Sequence, residues 1–339
     1  MNSNSTPSSC VYYVVGTAYV NDQEPEPRHG RILVFQVNSH DRTLRLVTAK
    51  AVPGSVYCLE QFNKSMLLAG VNSRVILFQL TSSDTSDDAN KLNLQQVCKH
   101  EGRILTLFLV SRGDFIIVGD LMKSISMLMF SRSANQICEV AKDYNSNWMT
   151  AIEALSDNVF VGAENSFNLF SVRFNGDKEQ AYERAQLEVV GRYHLGEFVN
   201  RIRPGSLVMK MPTDNQHITS SDAGSASSSG SPIPTFIFGT VHGAIGVIAS
   251  ISKQDYDFLL KVQQSMNKQV RGVGGFSHEQ WRSFRTERYT HKASGFLDGN
   301  LIESFLDLRP ETQAQVVKPL NLSIKELTKR IETIQQAIH

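Results

Sequence analysis

The sequence lacks the signals typical of secreted and membrane proteins. No run approaches the roughly 18 consecutive apolar residues of a membrane-spanning helix. The polar start, MNSNSTPSSC, has no apolar core and does not fit a secretory signal. The four cysteines lie far apart and form no C-x-x-C pair, which argues against a zinc or redox motif. The net charge of +1 gives no general attraction to nucleic acid or to a membrane.

The common catalytic patterns are missing too. There is no phosphate-binding G-x-x-x-x-G-K-[ST] loop and no G-x-S-x-G nucleophile elbow. His194 and Glu197 form an H-x-x-E pair, but no second histidine accompanies it, so a structural histidine is the favoured interpretation. The sequence therefore predicts a protein that is not an enzyme and has no metal or other cofactor.

A short apolar strand ending in glycine recurs along the chain, and a second apolar strand follows each one. The first three intervals are close to the ~40–50 residues of a propeller blade. The fourth is lengthened by a Ser-rich insert at 213–235, predicted to be a disordered surface loop. The repeated glycines are Gly16, Gly70, Gly119, Gly162 and Gly239.

Further strand candidates between these pairs bring each repeat to four strands, the content of a propeller blade. We therefore expect a mainly β fold in which residues 10–251 form a partial β-propeller of about five four-stranded blades. Residues 1–9 are expected to be a disordered N-terminus. A β-sandwich with coincidental strand spacing is the alternative, because sandwiches also have short strands at regular intervals.

The apolar period changes after residue 252 and predicts a small helical C-terminal domain over 252–339. Phe258, Leu259 and Val262 begin a stripe on one helical face. Ser277 and Ser323 each precede a Gln or Glu by three residues, the pattern of a capping box, and should begin two further helices. LIESFLDL is predicted to be helical up to Pro310.

Several long strings resemble one family of large scaffold proteins. That family includes the large subunit of the damaged-DNA-binding complex, which is the adaptor of cullin-4 ubiquitin ligases. Its wider superfamily includes the A subunit of the cleavage and polyadenylation specificity factor and a splicing-factor 3b subunit. The strings are YYVVGTAYV (12–20), GDFIIVGDLM (113–122), NWMTAIEAL (147–155), GAENSFNLF (162–170), HLGEFVN (194–200) and WRSFRTERYTHKASGFLDGNLIESFLDL (281–308).

The resemblance implies three propellers followed by a helical domain, the third propeller having seven blades. This chain resembles the later blades of that third propeller plus the helical domain. We accordingly expect a fragment, a truncated gene model or a shortened isoform. The family contacts the cullin through its middle propeller, which nothing here resembles, so cullin is expected as a partner only through family regions absent from this sequence.

The family grips substrate-receptor proteins in a cleft between its first and third propellers, and the resemblance implies a set of receptor-binding positions here. Lys123 stands where the family usually has arginine, which puts a bidentate contact there in doubt. Leu105 and Leu107 fit blade core equally well. The predicted receptor-binding residues are Leu105, Leu107, Phe108, Met122, Lys123, Trp148, Phe198 and Asn200.

A basic, aromatic-rich segment carries the alternative function. Arg282, Arg285 and Arg288 alternate with aromatic residues, a combination that can bind phosphates and stack bases. The favoured interpretation is that the aromatics form the core of the helical domain, because no nucleic-acid-binding fold signature is present. Two functions are thus expected. The first is a scaffold in a cullin-4 ligase acting in ubiquitination and DNA-damage repair. The second is a nucleic-acid-binding subunit of a cleavage, polyadenylation or splicing complex. The resemblance implies a location in nucleus and cytoplasm.

Overall fold

The computed structural model describes residues 11–38, 42–63, 65–82, 92–207 and 233–338. The predicted disordered N-terminus, 1–9, lies outside the described residues. So does the predicted insert over 213–232, whereas its last residue, Thr235, already begins a strand.

Among the described residues, five antiparallel sheets of three or four strands follow one another before the helical region, and we number them as blades 1 to 5. Blade 1 contains β1 (Tyr12–Ala18), β2 (Gly30–Asn38) and β3 (Thr43–Val52). Blade 2 contains β4 (Val56–Phe62), β5 (Met66–Val71), β6 (Arg74–Ser82) and β7 (Leu92–Glu101). Blade 3 contains β8 (Thr106–Arg112), β9 (Phe115–Asp120), β10 (Ser124–Ser131) and β11 (Gln136–Lys142).

Blade 4 contains β12 (Met149–Ala154), β13 (Val159–Glu164), β14 (Asn168–Arg173) and β15 (Glu188–His194), with the short helix α1 (Ala181–Arg184) between its last two strands. Blade 5 contains β16 (Val199–Pro204), β17 (Thr235–Thr240) and β18 (Ile245–Ala249). The prediction of propeller-like blades is confirmed. The expectation of four strands in every blade is wrong for blades 1 and 5, which have three strands each among the described residues.

In unit 1, apolar faces of neighbouring blades pack on each other. Ile32 and Val34 of blade 1 pack with Ile76 and Phe78 of blade 2, and all four side chains are at most 1% exposed. The opposite face of blade 2, which includes Leu77, packs on blade 3. Burying a large apolar side chain contributes about 1.5–3 kcal/mol, so stacked faces stabilise strands that pair only within their own sheets.

The glycines that mark the repeats stand where the backbone is crowded. A Cβ on Gly70 would lie 2.5 Å from Cys58 Sγ and 2.8 Å from the carbonyl oxygen of Thr106. Gly70 pairs with Cys58, and Gly119 pairs with Phe108 in the same place in the next blade. In blade 4 this place is taken by Ala163, so the repeat marker Gly162 is one residue out of register.

The chain is divided into two compact units. Unit 1 is Met1–Asn165 with Val172–Val189, and unit 2 is Ser166–Ser171 with Val190–His339. The helical region of unit 2 contains these elements: α2 (Lys253–Gln269), α3 (His278–Trp281), β19 (Phe284–Arg285), β20 (Thr290–His291), α4 (Gly299–Glu303), α5 (Pro310–Val317) and α6 (Ile324–Ile338).

Local signals placed the helix starts well. Both capping boxes form, with Gln280 and Glu326 each bonding back to the serine three residues earlier. The helix after Ser277 nevertheless lasts only four residues, and a two-stranded hairpin follows it. LIESFLDL is not one helix either, because α4 gives way to a 3₁₀ turn at Ser304–Asp307.

The helical region has its own apolar core. Val262 and Met266 of α2, Phe305, Val316 of α5 and Leu327 of α6 have no measurable exposure. This core accounts for the apolar stripes at helical spacing. No helix among the described residues combines the length and the apolar character needed to cross a membrane.

Candidate partner-binding edge

The first strand of a blade carries a β-bulge at the same place in four successive blades. In unit 1 the pairing with the second strand skips Tyr57, Leu107 and Thr150. In unit 2 it skips Asn200 in the same way. A bulge adds one unpaired residue and re-aims its side chain. Leu107 and Asn200, both predicted receptor-binding residues, are thus equivalent positions of different blades.

Near these bulges, the turn between the second and third strands of a blade, which we call its corner, is hydrogen-bonded to the first strand of the next blade in unit 1. The N–H of Thr106 donates to the carbonyl of Asn72 at 2.8 Å, linking blade 3 to blade 2. The N–H of Met149 donates to the carbonyl of Leu121 at 3.2 Å, linking blade 4 to blade 3. We call this part of unit 1 the bulge edge and define it as residues 55–57, 72–73, 104–108, 121–123 and 147–150.

Asp120 directly precedes segment 121–123 of the bulge edge and has 4% of its surface exposed. Its Oδ2 accepts hydrogen bonds from the N–H groups of Ile104 at 2.9 Å and Leu105 at 3.2 Å. Its Oδ1 accepts bonds from the N–H groups of Met122 and Lys123, each at 3.0 Å. One buried carboxylate therefore holds both segments of blade 3 that carry predicted receptor-binding residues.

A network of three buried polar residues, Ser124, Asp143 and Asn147, holds the loop before Trp148. Ser124 Oγ donates to Asp143 Oδ2 at 2.6 Å, and Asn147 Nδ2 donates to Ser124 Oγ at 3.2 Å. Asp143 Oδ1 accepts two further bonds from Asn145, one from its backbone and one from its side chain. Because Trp148 is the next residue in the chain, this network also fixes the backbone on the N-terminal side of Trp148.

The predicted residues of unit 1 differ in exposure. Trp148 is 44% exposed, and Lys123 is also exposed. Leu105, Leu107, Phe108 and Met122 are each partly buried. The ring of Phe108 lies over Gly119, where an added Cβ would approach it to 3.1 Å, so Phe108 belongs partly to the blade packing. The structure brings these six residues together along the bulge edge.

Two apolar side chains of the bulge edge were not predicted. Tyr57 is 40% exposed and Ile104 is 39% exposed. Tyr57 occupies the bulge position of blade 2, as Leu107 does in blade 3. A residue-by-residue alignment of the repeats would have pointed to Tyr57, whereas Ile104 has no such signal.

The remaining predicted receptor-binding residues lie in unit 2. Phe198 is partly buried and contacts Phe167 edge-to-face, with ring centroids 6.2 Å apart. Asn200 is exposed. Phe167 is itself 41% exposed and has a φ of 65°, an unusual backbone conformation for a bulky residue. Sequence reasoning did not single out Phe167.

The three arginines proposed for nucleic acid contact have different surroundings in unit 2. The Arg282 side chain is 14% exposed, pairs with Asp298 at 2.7 Å, and donates to the carbonyls of His194 and Leu195. Its guanidinium also lies 4.9 Å from the ring centroid of Tyr193. These bonds engage Arg282 inside the unit. Arg285 and Arg288 are exposed, and a nucleic-acid role for the three stays a prediction.

The pKa shifts around Arg282 follow from burial and charge. Burial alone would raise the pKa of Asp298, but the hydrogen bond from His278 and the charge and hydrogen bond of Arg282 lower it to about 2. Burial, with the Asp298 charge added, raises the pKa of Tyr193 well above its usual value. Burial and then the charges of Arg285 and Arg282 lower the pKa of His194.

A family profile described as "CPSF A subunit region" matches residues 1–307 of the chain. Three curated relatives match nearly all of it. "DNA damage-binding protein 1" of Solanum lycopersicum is 50% identical over 326 residues, which are 96% of this chain and 28% of the relative. "DNA damage-binding protein 1a" of Arabidopsis thaliana is 49% identical over 334 residues, 98% of this chain and 29% of the relative. "DNA damage-binding protein 1" of Oryza sativa subsp. japonica is 49% identical over 325 residues, 96% of this chain and 28% of the relative. The chain thus spans less than a third of the length of these relatives.

Proposed function

The chain belongs to the CPSF A subunit family, and from that premise we propose that it is a non-enzymatic scaffold that binds substrate-receptor proteins of a cullin-4 ubiquitin ligase. Within the family it is homologous to proteins named DNA damage-binding protein 1 at about 50% identity over nearly its whole length, as the resemblance predicted. Activities and partners of those longer proteins come to this chain as proposals.

The observation that carries this proposal is the composition of the bulge edge. Exposed Tyr57, Ile104 and Trp148 lie with half-buried Leu105 and Met122 on corners joined by hydrogen bonds. Protein interfaces are enriched in aromatic and Met side chains at their centres and depleted in acidic ones. A rigid edge of this composition fits an apolar protein segment, with Lys123 at hand for an acidic group on the partner.

The proposed roles follow from the homology. The chain would take part in ubiquitination and in DNA-damage repair, and it would work in both nucleus and cytoplasm. Receptor proteins are its proposed direct partners, whereas cullin is proposed to be reached only through other regions of a full-length family member. Chemistry on the substrate is left to the assembled ligase, so no cofactor is proposed.

Affinity for a receptor tests the proposal directly. The probe is the small subunit of the damaged-DNA-binding complex. It is titrated by calorimetry against a full-length family member whose corresponding region is replaced by this chain, because the family's cleft also includes the first propeller. Truncating an aromatic anchor typically costs about 2 kcal/mol, so Trp148→Ala should weaken binding roughly thirtyfold. Tyr182→Ala is the matched control, because Tyr182 is 69% exposed in α1, outside the bulge edge. Equal affinity of the Trp148 and Tyr182 variants would overturn the proposal.

Direct binding of nucleic acid is the second candidate function. Exposed Arg285 and Arg288 in the segment 282–292 support it, as do the names of the relatives. Nucleic acid would then be bound by phosphate contacts, which are sequence-independent and salt-dependent. Association of nucleic acid with the assembled complex is the form of this function that the near-neutral net charge favours.

A further inference from the structure

The position that Asp120 occupies in blade 3 is not an aspartate in the neighbouring blades. The residue paired with the first residue of a blade's first strand is Val71 in blade 2, Asp120 in blade 3 and Glu164 in blade 4. In unit 2 the same position is Thr240. Since blade 2 closes this corner with a valine, the blade fold itself does not require a carboxylate there.

The corner that Asp120 closes is also longer than that of blade 2. Val71 pairs with Arg74 across a two-residue turn, Asn72–Ser73. Asp120 pairs with Ser124 across three residues, two of which, Met122 and Lys123, donate their N–H groups to the carboxylate. Four backbone donors on one carboxylate satisfy its charge in a buried setting, where an unpaired charge would be costly.

Both segments held by Asp120 lie on the bulge edge. The 104–105 segment leads into the bulge at Leu107, and the turn carries Met122 and Lys123. The intervening residue, Leu121, donates to the carbonyl of Leu105 at 3.0 Å and accepts from Met149, the neighbour of Trp148. A shift of the 121–123 turn would therefore displace both the 104–105 segment and the start of β12 beside Trp148.

We infer that Asp120 is a positioning residue of the bulge edge: its carboxylate fixes Leu105, Met122 and Lys123 in the arrangement that a receptor contacts. The inference rests on the proposed receptor-binding function. Asp120 is 4% exposed, so its own side chain offers almost no surface for a partner to contact. It acts through the four amide groups, and it reduces the ordering that these residues would otherwise undergo on binding.

The variant Asp120→Asn tests the inference, because an amide NH₂ replaces one oxygen and faces two N–H donors. Binding of the small subunit of the damaged-DNA-binding complex should weaken about tenfold at a temperature where the variant is fully folded. Amide hydrogen exchange of residues 104–105 and 122–123 should accelerate, while exchange of the β9 core at Ile116 and Ile117 stays slow. Asp120→Glu, which keeps the charge but moves the carboxylate by one methylene, serves if the asparagine variant does not fold.

Ile137→Ala is the control for lost stability. Ile137 is 3% exposed in the core between blades 2 and 3, and the variant should lower the melting temperature without changing receptor affinity. An Asp120→Asn protein that is folded and binds as tightly as the Ile137 variant would overturn the inference, provided that Trp148→Ala still weakens binding. If Trp148→Ala also binds normally, the proposed function fails and the inference with it. The exchange rates would then show whether Asp120 holds the corner at all.

Discussion

Arg282 Nε donates to Asp298 Oδ2 at 2.7 Å, in a pair whose side chains are 14% and 7% exposed. Asp298 also caps α4 by accepting the N–H of Leu301, and it accepts a bond from His278 at 2.8 Å. Arg282 reaches in the other direction to the carbonyls at the end of β15. The ion pair therefore ties the start of α4 to the end of β15 within unit 2.

Replacing Asp298 by asparagine should destabilise unit 2. The change removes the partner of a buried guanidinium, a loss that typically costs about 3–5 kcal/mol. Chemical unfolding followed by circular dichroism measures this cost. Asp307→Asn is the control, since Asp307 is an exposed carboxylate on the turn that follows α4. A cost below about 1 kcal/mol, equal to that of a surface substitution, would show that the pair does not hold the unit together.

The same carboxylate predicts acid sensitivity. The pKa of Asp298 falls from 3.8 to about 2 on folding, so the unfolded chain takes up this proton first as the pH falls. Its contribution, about 2 kcal/mol, is fully present above roughly pH 4 and is lost between about pH 4 and pH 2. Across this range, the difference in unfolding free energy between the wild type and Asp298→Asn should shrink by about 2 kcal/mol as the pH falls. Parallel curves would assign the acid sensitivity to other groups.

Truncation of Phe108 should lower the stability of the protein, whereas truncation of Trp148 should not. Phe108 packs over Gly119 and next to Ile152, and its truncation to alanine should cost roughly 3 kcal/mol of stability, because a packed aromatic ring leaves a cavity. Trp148 is 44% exposed, and its truncation should leave the melting temperature nearly unchanged. Differential scanning calorimetry of the two single variants decides this. The reverse order would place Trp148 in the core and Phe108 on the surface.

The exposed arginines test direct nucleic acid binding. In the double variant Arg285→Gln, Arg288→Gln, affinity for a fluorescent duplex should fall, and the slope of log affinity against log salt should decrease by about 2 if both contact phosphate. Arg132→Gln is the control, because the Arg132 side chain is 67% exposed in unit 1 and pairs with Asp114 of the same blade. An unchanged slope in the double variant would rule out both arginines as phosphate contacts.

Local patterns in the sequence were enough to predict the blades and the helix starts. A capping box depends on residues three apart, so Ser277 and Ser323 could be identified without any tertiary information. The alternation of apolar residues and the recurring glycines likewise reflect neighbours within one blade. The exceptions are the helix after Ser277, which lasts only four residues, the break in LIESFLDL, and the three-stranded blades 1 and 5.

The contacts that build the candidate site could not be predicted in this way. Asp120 bonds to residues 15 and 16 positions earlier, and Arg282 bonds to a carbonyl 88 positions away. Whether an acidic side chain is a solvated turn residue or a buried clamp depends on such partners. The bulges were missed for another reason. Each lies at the second residue of its strand, so too few residues precede it for the shift in alternation to be visible in the sequence.

The bulge in the first strands of blades 2 to 4 makes the side chain at that position independent of the strand pairing. Tyr57, Leu107 and Thr150 are the residues that the pairing of their strands skips, so their identity does not set the alignment of any strand with its neighbour. Substitutions at these positions therefore leave the hydrogen-bond ladder on either side of the bulge in place. At Tyr57, which is 40% exposed, a surface side chain can thus change without a change in strand register.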